Sequence, residues 1–262
     1  MKILRARKAM VTGAASGIGR CIALALARES VDLCLIDIDE ANLQMTAQAA
    51  KGHGVEVVAR VCDLSQSSAT KNAVDFLLST WDRLNILVNC AGICHYGATH
   101  AMSDEQWNRI IAVNLLAPIQ LTRALLPILA AQDEAHVLNV CSIHGLVSSA
   151  RIAAYQTSKF GLVGFSAALH AEYARPGFGV TALCPGIVRT PLIDKLKLDW
   201  ANGGVSIPAW LGTSPEVVAA KALTAIRSNK GLVVITAYAR ALWWLARLSP
   251  GLAQWLARKG LF

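Results

Sequence analysis

The sequence predicts an α/β fold, a doubly wound parallel sheet of seven strands with helices on both faces. Short runs rich in β-branched residues or cysteine alternate with longer segments of helical period, as in parallel strands joined by helices. Hydrophobic residues make up 54% of the chain and charged residues 16%, which disfavours disorder and leaves much surface for helices or sister subunits to cover. The 262 residues suit one domain over residues 1–262.

The predicted elements alternate along most of the chain. Strands are expected at residues 9–12, 32–37, 55–61, 85–89, 136–142, 179–183 and 231–235. Helices are expected at residues 17–29, 40–51, 65–81, 103–129 and 153–175. A further helix should begin behind Ser214, because serine can cap a helix and Pro215 costs nothing at its first position.

A glycine-rich turn joins the first strand to the first helix. It reads Thr12-Gly13-Ala14-Ala15-Ser16-Gly17-Ile18-Gly19. Glycines there let the backbone approach a pyrophosphate, whose charge is favoured at a helix N-terminus. The turn therefore predicts dinucleotide binding, a purely structural turn being the alternative. The expected cofactor contacts are Gly13, Ser16, Gly17, Ile18 and Gly19.

Asp37 ends the second strand, about 20 residues further on, where a carboxylate can bind the ribose hydroxyls of NAD and repel the 2′-phosphate of NADP. Neither Ser16 nor Ile38 supplies the cation that a 2′-phosphate needs. The sequence therefore favours NAD as the cofactor. The alternative role for Asp37 is a cap at the strand end.

Three residues predict the chemistry. Tyr155 and Lys159 lie four positions apart and hence on one face of a helix. A nearby ammonium stabilises phenolate and lowers the pKa of tyrosine from about 10 toward the working pH of a general acid/base. Ser142 ends the fifth strand and can bind the same substrate oxygen. This set predicts interconversion of an alcohol and a ketone, with Tyr155 transferring the proton.

These motifs occur together in the short-chain dehydrogenases/reductases, which the sequence resembles over about residues 8–236. The resemblance rests on the glycine turn, Asp63, Asn89-Cys90-Ala91-Gly92, Asn114, Ser142 with Tyr155 and Lys159, and Pro185-Gly186-Ile187-Val188-Arg189-Thr190. It implies a Rossmann-type sheet. The family usually has a second asparagine where this chain has Cys90, which puts local sheet packing in question but not the chemistry.

The resemblance also implies roles for single residues. Lys159 would bind the nicotinamide ribose, Asn114 would help to hold a water that links Lys159 to solvent, and Ser142 would position the substrate oxygen. The implied cofactor contacts are Asp63 and Leu64 at the adenine, Asn89, Ala91 and Gly92 along the cleft, Pro185, Gly186, Ile187, Val188 and Thr190 toward the nicotinamide end, and Tyr155 and Lys159. No metal is expected.

The region in which this family places its variable substrate lid, residues 191–213, is strongly apolar here. It contains Leu192, Ile193, Leu196, Leu198, Trp200, Ile207, Trp210 and Leu211. With Ile143, Leu146 and Val147 these residues predict an apolar pocket and a lipid-, terpenoid- or steroid-like alcohol or ketone as the small-molecule partner. His95 and His144 flank the cleft, where a solvated or core imidazole is preferred over a substrate contact.

Residues 238–262 form a basic, amphipathic tail. Arg240 and Arg247 fall on one helical face beside Trp243 and Trp244, and Pro250-Gly251 separates a second piece of the same kind. Such helices can lie in a membrane interface as a peripheral contact. Packing against a sister subunit of a homo-oligomer, a dimer or a tetramer, is the slightly preferred alternative.

Charge and cysteine usage bound the partners and the compartment. The net charge of +8 is concentrated at the two ends without any nucleic-acid-binding signature, so no nucleic-acid partner is expected. Seven scattered cysteines without a C-x-x-C pair indicate a reducing cytoplasm. No uncharged apolar run reaches the roughly 18 residues needed to span a bilayer. We expect a cytoplasmic protein, with the tail as its only candidate for peripheral membrane contact.

Two other functions remain open. A ketoacyl-thioester reductase shares the fold and catalytic set but generally uses NADPH, against which Asp37 argues. A non-catalytic NAD-binding protein would show a broken set of serine, tyrosine and lysine, whereas all three are present here.

Overall fold

The computed structural model describes residues 1, 3–173, 175–193 and 212–259. Its seven strands are Lys8–Thr12 (β1), Asp32–Asp37 (β2), Val57–Val61 (β3), Ile86–Asn89 (β4), Ala135–Val140 (β5), Phe178–Pro185 (β6) and Leu232–Ile235 (β7). They form one sheet in the order β3-β2-β1-β4-β5-β6-β7, and each neighbouring pair is parallel. The predicted seven-stranded parallel sheet is confirmed.

Helices connect the strands and complete the tail. They are Gly17–Arg28 (α1), Glu40–Lys51 (α2), Ser67–Thr80 (α3), Asp104–Ile111 (α4), Ala117–Ala130 (α5), Ala153–Tyr173 (α6), Pro215–Ser228 (α7), Ala237–Leu248 (α8) and Pro250–Arg258 (α9). Ser214 caps α7 as expected, its hydroxyl accepting a hydrogen bond from the Val217 amide. The single helix expected over residues 103–129 is instead α4 and α5 joined by a π-helical turn, Ala112–Leu116.

Both faces of the sheet are covered by helices. In β1, Ala9 and Val11 belong to a core formed with α1, α2 and α7, whereas Met10 lies in a second core formed with α3, α5 and α6. Successive side chains of a strand point to opposite faces, so a strand covered on both sides needs apolar residues at every position. This is why the strands are continuous apolar runs in the sequence.

The strand order places the functional cleft. The chain builds outward in one direction from β1 to β3 and in the other from β4 to β7, so β1 and β4 meet at the point of reversal. In open parallel sheets ligands bind at this point, outside the carboxyl ends of the strands. Thr12 ends β1 and Asn89 ends β4, and the glycine turn follows directly.

Within the described residues, one continuous helical stretch, Asp104–Ala130, is long and apolar enough to cross a membrane by length and composition alone. Its Leu121, Leu125 and Leu129 are fully buried in the core of the sheet. A core helix of this kind passes the same test, so the stretch does not indicate a membrane span.

Candidate active site

The three residues expected to carry the chemistry meet at the carboxyl edge of the sheet. Ser142 follows β5, and Tyr155 and Lys159 lie in the first two turns of α6. The Ser142 hydroxyl lies close enough to the Tyr155 phenol to lower its pKa. The Lys159 ammonium lies 5.8 Å from the centre of the Tyr155 ring. The spacing seen in the sequence therefore becomes one compact polar cluster.

Lys159 is held in place by its main-chain neighbour on β5. Its Nζ donates a hydrogen bond to the Val140 carbonyl at 2.9 Å, and only 4% of the residue is exposed. Gly92 borders the same space, since a Cβ there would lie 3.6 Å from Nζ. Burial lowers the pKa of Lys159, because the charged form loses its hydration.

The pKa of Tyr155 departs from the sequence-based expectation. Burial raises it, and the Ser142 hydroxyl opposes this effect only in part. We expected the neighbouring ammonium to lower the pKa, whereas burial acts in the opposite direction because it disfavours the charged phenolate.

Asn114 lies in the π-helical turn and ties two parts of the site together. Its Oδ1 accepts a hydrogen bond from the Ile93 amide at 2.8 Å, and its Nδ2 donates to the Ile93 carbonyl at 2.8 Å and to Ser158 Oγ at 3.1 Å. Ser158 in turn donates to the Tyr155 carbonyl at 2.6 Å. Ser158 was not predicted as a site residue, because the sequence marks it only by its position between Tyr155 and Lys159.

The glycine turn is pressed against the loop that follows β4. Gly13 has a φ of +68°, and a Cβ there would lie 2.8 Å from the Ala91 backbone. A Cβ at Gly19 would overlap the carbonyl oxygen of Gly13. Thr12 Oγ1 accepts hydrogen bonds from the amides of Cys90 (3.0 Å) and Ala91 (3.1 Å). The Thr12 hydroxyl, which we had not assigned to the site, therefore joins the two loops.

The start of α1 and the end of β2 fit a dinucleotide. Ser16 is the N-cap residue of α1 but makes no side-chain cap hydrogen bond within the described residues, and the first turn contains no acid. These amides and the helix dipole favour an anionic pyrophosphate. The Asp37 carboxylate accepts hydrogen bonds from the amides of Ala15 (2.9 Å) and Asp39 (3.0 Å). It is thereby held beside the glycine turn.

Comparisons with known proteins agree with this geometry. A family model described as short chain dehydrogenase matches residues 7–200. Over 193 residues the chain is 37% identical to the D-beta-hydroxybutyrate dehydrogenase of Cupriavidus necator, which covers 74% of this chain and 75% of that enzyme. The chain is a short-chain dehydrogenase/reductase. As a member of this family it is an oxidoreductase with a nucleotide-binding, Rossmann-type sheet.

Two solved structures extend the likeness to most of the chain. A short-chain dehydrogenase/reductase of Burkholderia phymatum in complex with NAD gives a TM-score of 0.84 at 25% identity, over 96% of each chain. An actinorhodin polyketide ketoreductase with NADPH gives a TM-score of 0.81 at 28% identity, over 90% of this chain and 97% of that one. Relatives of this short-chain dehydrogenase/reductase thus bind either nicotinamide cofactor.

Asn89 of this short-chain dehydrogenase/reductase is anchored inside the fold. Its side chain is buried, and its Nδ2 donates to Thr122 Oγ1 at 3.1 Å and to Asn139 Oδ1 at 2.8 Å. Both amide protons are therefore engaged between α5 and β5. A cofactor contact of Asn89 stays a prediction, and Ala91 and Gly92 border Gly13 and Lys159 as described above.

The segment after β6 lies on the other side of the glycine turn. Pro185 is buried at the end of β6, and Val188 is buried and pairs with Thr213. The Thr190 side chain lies 3.2 Å from where a Cβ on Gly17 would be. The segment after β6, which was expected toward the nicotinamide end of the cofactor, therefore contacts the glycine turn.

Asp63 and Leu64 follow the edge strand β3, which lies on the other side of β1 from β5 and Ser142. The Asp63 carboxylate accepts a hydrogen bond from the Ser65 amide at 2.9 Å, which lowers the pKa of Asp63. Leu64 is buried in the core. Their position past the end of β3 lies on the same side of β1 as Asp37.

The expected substrate lid is described only at its two ends. Residues 194–211, which include Leu196, Leu198, Trp200, Ile207, Trp210 and Leu211, lie outside the described residues. Leu192 and Ile193 are partly buried. Ile143 and Val147 are buried with Ala239 of α8, and the partly buried Leu146 packs against the same cluster.

His144 stands beside the catalytic cluster. Its backbone amide donates to Ser142 Oγ at 3.1 Å, and its ring meets the Tyr155 ring edge-on at 6.4 Å. Burial lowers the pKa of His144 to about 4. Its Nδ1 is buried without a hydrogen-bond partner among the described residues, so the preferred interpretation of a fully satisfied core imidazole does not hold for this atom.

Proposed function

We propose that this oxidoreductase interconverts a hydrophobic secondary alcohol and its ketone with NAD, and that Tyr155 is the general acid/base. The observation that carries the proposal is the clustering of Ser142 and Tyr155 beside the buried Lys159, whose ammonium lies 5.8 Å from the centre of the Tyr155 ring. A phenol, a hydroxyl and an ammonium that converge on one point are suited to move a proton to or from a single oxygen atom.

Each residue has a distinct part in this reaction. When bound, oxidised NAD supplies the hydride acceptor and a positive charge that opposes the effect of burial on the pKa of Tyr155. Ser142 donates a hydrogen bond to the substrate oxygen, and Tyr155 takes the proton of the alcohol. Lys159 stabilises the phenolate and binds the nicotinamide ribose, with Val140 fixing its position.

Asn114 supports proton release in the proposed relay. Both of its amide protons and its carbonyl oxygen already have partners in Ile93 and Ser158. A water that links Lys159 to solvent would therefore be bound by the main chain of Asn114. A π-helical turn is suited to this, because it interrupts the regular main-chain hydrogen bonds of a helix.

Asp37 supports NAD as the cofactor. Its fixed carboxylate at the end of β2 would accept hydrogen bonds from ribose hydroxyls and repel a 2′-phosphate. The neighbouring Ser16 and Ile38 carry no cation that could bind that phosphate. The proposed cofactor contacts are Gly13, Ser16, Gly17, Ile18, Gly19, Asp37, Asp63, Leu64, Asn89, Ala91, Gly92, Tyr155, Lys159, Pro185, Gly186, Ile187, Val188 and Thr190.

The substrate class follows from the apolar composition of residues 191–213, of which Leu192 and Ile193 are partly buried near the cleft. A lipid-, terpenoid- or steroid-like compound suits such a lining. The second candidate is a ketoacyl-thioester reductase, favoured by the similarity to the actinorhodin ketoreductase. A protein that binds NAD without turnover is disfavoured, because Ser142, Tyr155 and Lys159 are all present and close together.

We also propose that the protein is a cytoplasmic homo-oligomer, a dimer or a tetramer. Leu116 and Phe160 are large apolar residues exposed at the start of α5 and on α6, and they suit contact with a sister subunit. All seven cysteines are free, in keeping with a reducing compartment. The tail would add a peripheral membrane contact.

The test is a screen of secondary alcohols of increasing chain length and ring number against NAD and NADP, followed by the absorbance of reduced nicotinamide. We expect turnover with NAD that rises with the apolar size of the alcohol. Preference for NADP, with turnover of ketoacyl thioesters in the reducing direction, would establish the second candidate instead. Binding of NAD without turnover of any alcohol or ketone would count against catalysis.

A further inference from the structure

The last two helices connect the surface of the protein to the catalytic edge. The inner face of α8 carries Ala239 and Trp243, which pack against Ile143 and Val147. These two residues belong to the turn that directly follows Ser142. α9 packs against α8. A partner bound to the outer faces of α8 and α9 would therefore be separated from the turn after Ser142 by one layer of helix.

The outer faces of α8 and α9 expose large apolar side chains. Trp244 is 52% exposed and Leu248 79% exposed on α8, and Leu252 is 46% and Trp255 53% exposed on α9. The pairs are spaced by four and three residues, so each pair lies on one face of its helix. Leaving two tryptophans and two leucines in water is costly, which indicates that this surface binds a partner.

The charged residues of α8 and α9 are all of one sign. From Val217 to Phe262 the sequence contains no acid. The cations of α8 and the end of α9, Arg240, Arg247, Arg258 and Lys259, are all exposed. Arg247 stacks on the Trp243 ring at 5.4 Å, so its charge stays beside the apolar face. The complementary partner is therefore both apolar and anionic.

We propose that the outer faces of α8 and α9 form a docking surface for an anionic lipid bilayer. Trp244 and Trp255 would lie at the level of the headgroups, where the amphipathic indole is favoured, with Leu248 and Leu252 below them. The exposed cations would contact lipid phosphates, each strengthening binding about five-fold on an anionic leaflet.

A second copy of this chain fits the surface less well. A two-fold dimer uses the same patch on both subunits, so the cations of α8 and α9 would face their own counterparts. No acid lies in the sequence from Val217 onward to neutralise them. An anionic bilayer offers the opposite charge together with an apolar interior, and it satisfies both requirements.

Docking would also place the catalytic edge next to the membrane. Because α8 rests on the turn behind Ser142, a hydrophobic alcohol dissolved in the bilayer would have a short path to the site. This consequence rests on the proposed substrate class, whereas the docking surface itself does not.

The test is flotation of the purified full-length protein with vesicles of phosphatidylcholine, alone or mixed with phosphatidylglycerol. We expect the protein to float with the mixed vesicles at low salt and to be released by high salt, since exposed charges are screened. Flotation with neither kind of vesicle would overturn the proposal. Equal binding to both kinds of vesicle would show that lipid charge does not contribute, which would refute the proposed preference for an anionic bilayer.

Paired variants separate the two contributions. The double change Trp244→Ser and Trp255→Ser should weaken vesicle binding about ten-fold or more by removing the buried indoles. The double change Arg258→Gln and Lys259→Gln should weaken it about 25-fold on anionic vesicles, as two cations are lost. The matched controls Met45→Ser and Lys51→Gln replace exposed residues of α2 and should bind as the wild type does.

Two further readouts keep the outcomes distinct. Sedimentation velocity reports the mass of each variant; a drop in mass on replacing Trp244 and Trp255, with no loss of vesicle binding, would identify the surface as a subunit interface and refute the lipid proposal. NAD binding and thermal unfolding report whether each variant is folded. Vesicle binding is measured without substrate, so a wrong substrate class leaves this result unaffected.

Discussion

A buried histidine on β5 should make the stability of the fold depend steeply on pH. His136 is 1% exposed, and its Nε2 lies 2.9 Å from Thr181 Oγ1. The Thr181 hydroxyl donates its own proton to the Lys230 carbonyl at 2.6 Å. It must therefore accept from His136, which assigns the neutral tautomer protonated at Nε2. Burial lowers the pKa of His136 from 6.5 to about 3.

The sign and size of the effect follow from linkage. The unfolded chain binds a proton at His136 below about pH 6.5, whereas the folded protein does so only below about pH 3. Stability is therefore fully present above pH 6.5 and falls as the pH drops, by up to about 1.4 kcal/mol per pH unit. Between the unfolded pKa of 6.5 and the folded pKa of about 3, the loss of stability amounts to about 5 kcal/mol, reached near pH 3.

The assay is urea unfolding of the wild type and of His136→Gln at several pH values and one protein concentration. The glutamine retains a donor for Thr181 but cannot gain a proton, so the variant should lose less stability than the wild type below pH 6.5, by about 3 kcal/mol at pH 4.5. His53→Gln, at an exposed histidine just after α2, controls for the loss of one imidazole. Parallel curves for the wild type and His136→Gln would refute the reasoning. If His136→Gln does not fold, direct titration of the His136 ring by NMR decides the same question.

Three further outcomes are expected at the cofactor and catalytic sites. Tyr155→Phe should lower kcat by about 10²- to 10⁴-fold, with NAD binding and thermal unfolding unchanged, because only the transferable proton is removed; full turnover in that variant would exclude Tyr155 as the acid/base. Asp37→Ala should reduce the preference for NAD over NADP about ten-fold or more, measured as the ratio of the two dissociation constants, and an unchanged ratio would show that the carboxylate does not select the cofactor. Gly19→Ala should lower the free energy of unfolding by about 1 to 3 kcal/mol and abolish NAD binding, because a Cβ there overlaps the Gly13 carbonyl. The control Gly164→Ala, on an open face of α6, should instead stabilise the protein by about 1 kcal/mol.

The strands and helices of the sheet could be predicted closely, because each has an apolar pattern that is local in the sequence and repeats along the chain. The bounds of β2 and α2 in the structure are those expected from the sequence. Four apolar residues lie between Asp32 and Asp37 in β2, and Glu40–Lys51 follows the capping Asp39. The meeting of Ser142 with Tyr155 was also predictable. Parallel strands bring their carboxyl ends to one edge, and a helix that starts there carries its first turns past the same edge.

Other features depend on contacts that the sequence does not display. The helix expected over residues 103–129 contains no glycine, and its π-helical turn is associated with the hydrogen bonds of Asn114 to Ile93 and Ser158, which are 21 and 44 positions away. The raised pKa of Tyr155 likewise reflects burial by the assembled fold. Periodicity reports which face of an element is apolar, but it says nothing of how far a given polar atom is desolvated.

Burial shifts the pKa values of Tyr155 and Lys159 in opposite senses, each toward the neutral form of its side chain. A charged phenolate and ammonium would support each other, but forming the pair costs the desolvation of both. The positive charge of oxidised NAD would favour the phenolate when the alcohol is to be oxidised. We propose that proton removal from the alcohol is thereby coupled to the presence of the hydride acceptor.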